Sequence, residues 1–215
     1  MMKMVLLSGG VDSSTALALA LKKDPNVLAV SFTYNQSHEK MEMKAAQDIA
    51  DYYQVKRLVI DLATIFKGSH SSLNRANHMA ITEGDYAKQE SPNTEVEFRN
   101  GVFIAILASL AKQYGADEIF FGAHQDDSGT IYPDCSPEFI QAMDLAVQLG
   151  TGHQVSLSAP FKQVTKATIV KIGLELGVPY ALTYSCYEGT NPPCGKCGTC
   201  IDRRKAFQAN GLDLL

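Results

Sequence analysis

Apolar residues along the chain fall into short unbroken runs separated by longer helical repeats. Met4-Val5-Leu6-Leu7 is an apolar run stopped by Ser8-Gly9-Gly10, which predicts a buried strand. Ser13 to Lys23 is rich in Ala and Leu and free of Gly and Pro, which favours helix. Val27 to Phe32 reads as a second strand. Met41, Ala45, Ile49 and Tyr53 then recur every fourth residue, the mark of an amphipathic helix over His38 to Tyr53. Leu58-Val59-Ile60 predicts a third strand, Phe98 to Tyr114 a mostly buried helix closed by Gly115, and Ile119-Phe120-Phe121 a fourth strand. Ser136-Pro137 opens another helix, a capping residue followed by proline at the first helical position. Val155 to Ala159 alternates like a strand, and Thr165 to Leu176 is a helix stopped by Gly177, with Pro179 just beyond.

Strands alternating with helices in this way predict an α/β fold, a doubly wound, five-stranded parallel sheet of Rossmann-like type. Residues 67–97 break the rhythm: they are rich in Ser, His, Asn, Thr and Glu and read as a polar insertion that orders over a ligand. The expected organisation is one domain over 1–182 with that insertion, and an extension over 183–215 packed on the same domain. Ligands of such sheets bind beyond the carboxyl ends of the strands. The loops to inspect are therefore Ser8 to Ser14, Tyr34 to Glu39 and Gly122 to Cys135.

Composition narrows the class. The chain has 215 residues, 46% hydrophobic and 20% charged, enough to bury a core without a staple. Its net charge of −4, with Arg203-Arg204-Lys205 as the densest basic cluster, disfavours a nucleic-acid partner. The longest apolar run, Val102 to Ala111, is too short for a membrane span and contains Ser109. Five cysteines, three of them at two-residue spacing, do not read as a secreted disulfide framework, so a cytoplasmic protein is expected.

The loop Leu7-Ser8-Gly9-Gly10-Val11-Asp12-Ser13-Ser14 joins the first strand to the first helix. Two glycines allow a tight turn and close approach to a ligand, and the N–H groups opening the helix suit a phosphate. Ser8, Ser13 and Ser14 add hydroxyls, and Asp12 would hold a magnesium ion at the phosphates. The loop is neither G-x-x-x-x-G-K-[ST] nor G-x-G-x-x-G. A capped strand-to-helix turn without a ligand is the plain alternative. The string Ser8 to Ser13, however, resembles that of the pyrophosphate-loop ATPases of the adenine-nucleotide α-hydrolase type. That resemblance implies ATP phosphates on Ser8 to Ser14 and adenine near Ser31-Phe32-Thr33-Tyr34.

Cys186, Cys194, Cys197 and Cys200 form C-x7-C-x2-C-x2-C, punctuated by Pro192, Pro193, Gly195 and Gly198. Four thiolates match a closed tetrahedral zinc site, one structural ion per chain in a C-terminal zinc knuckle. An iron–sulfur run fits less well, because Arg204 stands where its next cysteine belongs and no proline follows. Cys135 reads as a partly buried loop thiol rather than a nucleophile.

Further strings are Tyr34-x-Gln36-x-His38-Glu39, Phe98-Arg99-Asn100, Asp127-Ser128-Gly129, Tyr132-Pro133-Asp134-Cys135, and Thr183-x-Ser185-Cys186-Tyr187-x-Gly189. With Ser8 to Ser13 and the cysteine run ending at Arg203, they resemble the 7-cyano-7-deazaguanine synthase family of queuosine biosynthesis over nearly the whole chain. Thr130-Ile131, His124-Gln125-Asp126-Asp127 and Ser136 depart from its pattern. The resemblance implies an ATP-dependent ligase that converts 7-carboxy-7-deazaguanine and ammonia to the nitrile, and a homodimer. It implies phosphate and magnesium contacts at Ser8, Gly9, Gly10, Asp12, Ser13 and Ser14, with Leu7 and Val11 in the same loop. Arg99 would pair with a carboxylate or phosphate, Asp134 would accept from the base edge, and Tyr34, His38 and Glu39 would line the nucleotide pocket. Lys166 would approach phosphate in the same arrangement, but its plainer reading is an exposed helix lysine. The alternatives are a tRNA-thiolating or lysidine-forming enzyme of the same loop type, and a non-catalytic zinc-knuckle interaction protein.

Overall fold

A computed structural model describes residues 1–85, 92–124 and 132–214. Five strands, β1 (Met2–Leu6), β2 (Val27–Thr33), β3 (Lys56–Asp61), β4 (Ala116–Phe120) and β5 (Ser156–Ser158), form one sheet in the order β3-β2-β1-β4-β5. Every pairing is parallel. The chain builds outward from β1 to β3, then returns to place β4 on the other side of β1. That reversal leaves a crevice at the carboxyl ends of β1 and β4, where ligands of such sheets bind.

Among the described residues, six α-helices cover the two faces: α1 (Val11–Lys23), α2 (Glu39–Tyr52), α3 (Arg99–Tyr114), α4 (Pro137–Gly150), α5 (Lys166–Glu175) and α6 (Gly198–Gln208). The central strands β1, β2 and β4 are buried almost throughout, as a sheet covered on both faces requires, while the edge strands β3 and β5 are only partly covered. Met4, Leu28, Val30, Phe32 and Ile119 pack with Ile104 and Leu107 of α3 and Ile140 of α4. The intervening residues Val5, Leu7, Ala29 and Phe120 face Ala16 and Leu17 of α1, Ile49 of α2, Ile169 of α5 and Phe207 of α6. Successive strand residues thus serve opposite cores, as the pleat requires.

Between α5 and α1, Tyr180 bridges the helices. Its hydroxyl lies 2.8 Å from Thr15 Oγ1 and donates to the Ile169 carbonyl at 3.2 Å. A Cβ at Gly173 would fall 1.8 Å from that hydroxyl, so the bridge exists only because position 173 has no side chain.

Residues 62–85 and 92–98 replace ladder hydrogen bonds with side-chain ones. Asn74 accepts from Ala76 N at 3.1 Å and donates to the Phe66 carbonyl at 3.3 Å, while Asn93 donates to the Ala80 carbonyl at 2.9 Å. Phe66, Leu73, Ile81 and Val96 anchor the segment in the core shared with α3. Glu83 also pairs with Cys197 in an antiparallel bridge, and Lys205 reaches Asp85 at 2.5 Å. None of the described residues of 67–97 lines the cleft; they pack against α3 and the cysteine region.

Helix α6 is an element the hydrophobic pattern did not disclose. It begins at the cysteine cluster and buries Cys200, Arg203, Ala206 and Phe207. Among the described residues, no helix is long and apolar enough to cross a membrane.

Candidate active site

The crevice at the β1–β4 reversal is an open cleft lined from several elements. One wall is the turn from β1 into α1. Gly9 has φ +83°, and a Cβ there would lie 2.4 Å from Ala46 N of α2, so only glycine fits. Gly10 caps α1 in an extended conformation without a side-chain bond. The first i→i−4 bond runs from Ser14 N to the Gly10 carbonyl, which leaves the N–H groups of Val11, Asp12 and Ser13 without intrahelical acceptors. The hydroxyls of Ser8 and Ser13 lie 3.1 Å apart beside them. Leu7, Ser8, Gly10, Val11, Asp12 and Ser13 line the cleft, whereas Ser14 is fully buried behind it.

Asp12 sits between two nitrogen groups. His124 Nε2 and Lys166 Nζ each lie 3.6 Å from its Oδ2, while its Oδ1 is buried without a hydrogen bond. That unpartnered oxygen fits a cation bound at the head of α1. Lys166 is 9% exposed and lines the cleft, which corrects its reading as an exposed helix lysine: the first turn of α5 points at the α1 terminus.

The opposite end of the cleft is aromatic. Phe32 stacks on Phe103 with centroids 4.4 Å apart, and Tyr34 packs edge-on against Phe66. Arg99, at the start of α3, donates to the Tyr34 hydroxyl at 3.0 Å and lies over the rings of Tyr34 and Phe103. Burial works against its charge, but Tyr34, Tyr187 and Asp134 outweigh that and hold it firmly protonated. His38 and Glu42 complete this end, 3.5 Å apart, with the Tyr187 ring 5.0 Å from His38. Burial, then the Arg99 charge, pushes His38 down to about 3, so its imidazole is neutral near pH 7. Burial also pushes the Glu42 carboxyl up to about 7, against the opposing pull of Gln36 and Arg99.

Of the expected site residues, Asp12, Arg99, Tyr34 and His38 border one cleft, and Glu39 does not. Asp134 does not line it. Its Oδ2 accepts from Asn100 N at 2.9 Å and its Oδ1 from Asn100 Nδ2 at 3.1 Å, so it fixes the first turn of α3. Asn100 and Cys135 border the cleft instead, and Asn100 Nδ2 lies 3.2 Å from the Cys135 sulfur. Gln125, Asp126, Asp127, Ser128, Gly129, Thr130 and Ile131 lie outside the described residues.

The four cysteine sulfurs of Cys186, Cys194, Cys197 and Cys200 all lie within 4.8 Å of one another, with Cys194 and Cys200 3.9 Å apart. Metal–sulfur bonds of about 2.3 Å in a tetrahedron require sulfurs about 3.8 Å apart, so the set fits one tetrahedral ion. Tyr184, Ser185, Tyr187 and Thr199 from the same region line the cleft. Arg203 of α6 secures that wall, donating to Thr183 Oγ1 at 2.8 Å and to the Tyr180 carbonyl at 3.1 Å.

The family model described as queuosine biosynthesis protein QueC matches residues 2–211. The chain belongs to the QueC family. Relatives named 7-cyano-7-deazaguanine synthase include one from Archaeoglobus fulgidus, 42% identical over 214 residues that span 99% of this chain and 88% of the relative. Another, from Aquifex aeolicus, is 39% identical over 210 residues, covering 95% of each chain. Among solved structures, NMN synthetase from Francisella tularensis resembles this QueC-family chain with TM-score 0.54 and 16% identity, over 100% of this chain and 78% of that one. That likeness shows a shared fold.

Proposed function

We propose that this QueC-family chain uses ATP to convert 7-carboxy-7-deazaguanine and ammonia into 7-cyano-7-deazaguanine. The observation that carries this reading is the joining, in one cleft, of an anion cradle at the head of α1 to an aromatic pocket that holds Arg99. A carboxylate oxygen is a poor leaving group until it is adenylated. In the first stage the substrate carboxylate attacks the α-phosphorus of ATP, the bond to the β-phosphate oxygen breaks, and pyrophosphate departs. Ammonia then adds to the acyl carbon and AMP leaves with the oxygen, giving an amide after loss of a proton. The amide oxygen then attacks the α-phosphorus of a second ATP, pyrophosphate departs and one N–H proton is lost; departure of AMP with loss of the second N–H proton leaves the nitrile.

Each part of the cleft has a role in this reading. The N–H groups of Val11, Asp12 and Ser13, with Ser8 and Ser13, receive the phosphates, while Gly9 and Gly10 shape the turn and Ser14 supports it from behind. Asp12 would hold magnesium through its buried Oδ1, and the ion would supply neutralisation of phosphate charge. Lys166 lies within reach of the departing pyrophosphate. Arg99 pairs with the substrate carboxylate or the α-phosphate, and Tyr34 orients it. Tyr34 and His38 border the base-binding end, and Asp134 acts through Asn100 by fixing the start of α3.

Zinc is the ion we assign to the four cysteines, since their closed thiolate set leaves no open position for chemistry. The cysteine run, spaced as a metal site rather than as a secreted disulfide framework, supports a cytoplasmic setting. The exposed Leu145 and Leu149 on α4 support a homodimer, and sedimentation tests it. The acidic pI of about 5.7 favours a small-molecule substrate over tRNA. Incubation with ATP, magnesium, ammonium and 7-carboxy-7-deazaguanine should yield the nitrile by mass spectrometry. Absence of product beside an active control would reject the reading.

A further inference from the structure

The phosphate end of the cleft receives any nucleoside triphosphate, so recognition of the base must come from the aromatic end. Flat apolar faces hold a heterocycle without telling one from another, and discrimination requires a polar group aimed at its edge. Asp134 does not line the cleft, and both its oxygens already accept from Asn100.

We propose that Glu42 determines base specificity, its carboxylate accepting hydrogen bonds from the N–H-bearing edge of a heterocycle held in the aromatic end of the cleft. This deepens the proposed function and rests on it. Glu42 lies in the first turn of α2, borders the cleft and keeps 17% of its side chain exposed. One oxygen is fixed in place: Oε2 receives Gln36 Nε2 at 2.8 Å and lies 3.5 Å from His38 Nε2. Gln36 is itself fully buried and locked, since its Oε1 accepts from Tyr34 N at 2.8 Å and its Nε2 donates to the Phe32 carbonyl at 3.3 Å. The other oxygen, Oε1, receives no hydrogen bond from the described residues.

A carboxylate placed this deep without a salt-bridged cation is costly, and the contacts that hold it use only one of its oxygens. The second oxygen is therefore pre-aimed at whatever enters the cleft. Arg99 borders the same space as a pure donor and makes no salt bridge to Glu42, so the two residues present an acceptor and a donor side by side. An amino-pyrimidinone edge is complementary, with its N1–H and amino group toward Glu42 and its carbonyl toward Arg99. The amino group of adenine offers the same donor chemistry, so the test has an arm for each base. The deazapurine is the occupant expected, because it supplies two adjacent donors.

The test compares wild type with Glu42→Gln, which keeps the shape but sets an N–H donor against a donor or forfeits the Gln36 contact. Nitrile formation by the wild type in the same assay checks the underlying reading separately. The KM for 7-carboxy-7-deazaguanine should rise at least about tenfold in the variant, while the KM for ATP stays within about twofold. An analogue lacking the 2-amino group, which keeps N1–H as its one donor on that edge, should bind wild type at least about tenfold more weakly and lose clearly less than the parent substrate on the substitution. A penalty on ATP that vanishes with a triphosphate lacking the 6-amino group would assign the same acceptor to adenine. If both KM values stay within about twofold, or if the penalty is undiminished with analogues lacking the amino group, the proposal is overturned. Should the variant fail to fold, the wild-type response to the 2-amino-less and 6-amino-less analogues decides alone, and indifference to both overturns it.

Discussion

The backbone N–H of Tyr184 donates to the carbonyl oxygen of Gly9 at 2.9 Å, joining the approach to the cysteine cluster to the turn that opens α1. A second tie runs from Ser37 Oγ to the Tyr187 carbonyl at 2.7 Å. The cysteine region is thus one wall of the cleft as well as an anchor for α6. Stripping the metal should weaken binding of a non-hydrolysable ATP analogue at least about fivefold, and reloading zinc should restore it. Fluorescence titration at a temperature where circular dichroism is unchanged measures this. Equal affinities with and without metal would mean that the turn keeps its shape unaided.

Lys166 Nζ lies 3.6 Å from Asp12 Oδ2, and both groups border the cleft at the head of α1. A cation placed there stabilises charge that develops on departing phosphate. Lys166→Met should lower kcat for pyrophosphate release about a hundredfold, and Asp12→Ala should abolish turnover while zinc content stays near one per chain. An effect below about threefold for Lys166→Met would confine that lysine to scaffolding.

Glu42 ties stability to pH. Its carboxyl, near 4.5 when exposed to water, is raised to about 7 by burial. A raised carboxyl favours the protonated fold: its stabilising contribution is complete below about pH 4.5 and is lost as pH climbs through 7. Relative to Glu42→Gln, the wild type should lose on the order of 2–3 kcal/mol between pH 5 and pH 8.5. Parallel urea melts of the two proteins give the difference, and a constant gap across that range would contradict the assignment.

The two glycines of the α1 turn should respond differently. A Cβ at Gly9 would strike the α2 backbone and the residue has φ +83°, so Gly9→Ala should cost on the order of 3 kcal/mol or more. At Gly10 a Cβ meets only Ser8 Oγ at 3.5 Å and the Tyr184 carbonyl at 3.6 Å, so Gly10→Ala should cost less than about 1 kcal/mol. Denaturant midpoints distinguish them.

The sheet was legible because its strands are short apolar runs stopped by Gly or polar residues, as at Leu7 and Gly122. The Ser8 to Ser14 turn and the cysteine spacing were equally plain, since each needs particular residue types at fixed steps. Helix α6 escaped because two of its buried positions, Cys200 and Arg203, do not count as hydrophobic in a periodicity. Lys166 was misread for a related reason: nothing local tells a lysine at a helix start that it will face Asp12 rather than water. Glu42 left a trace that was overlooked. It stands three, four and seven residues before the buried Ala45, Ala46 and Ile49, so a carboxylate lies on the inward stripe of α2. Asp134 shows the converse, a charged residue in a suggestive string whose work is to hold a helix start.

Tyr180 occupies the space that a side chain at position 173 would need, and its hydroxyl meets Thr15. Residues 15, 173 and 180 therefore cannot drift independently during evolution. A lineage that enlarges residue 173 must give up the tyrosine at the same time, and the threonine then loses its reason to persist. Three positions behind the α1 turn are bound to a common ancestry of change.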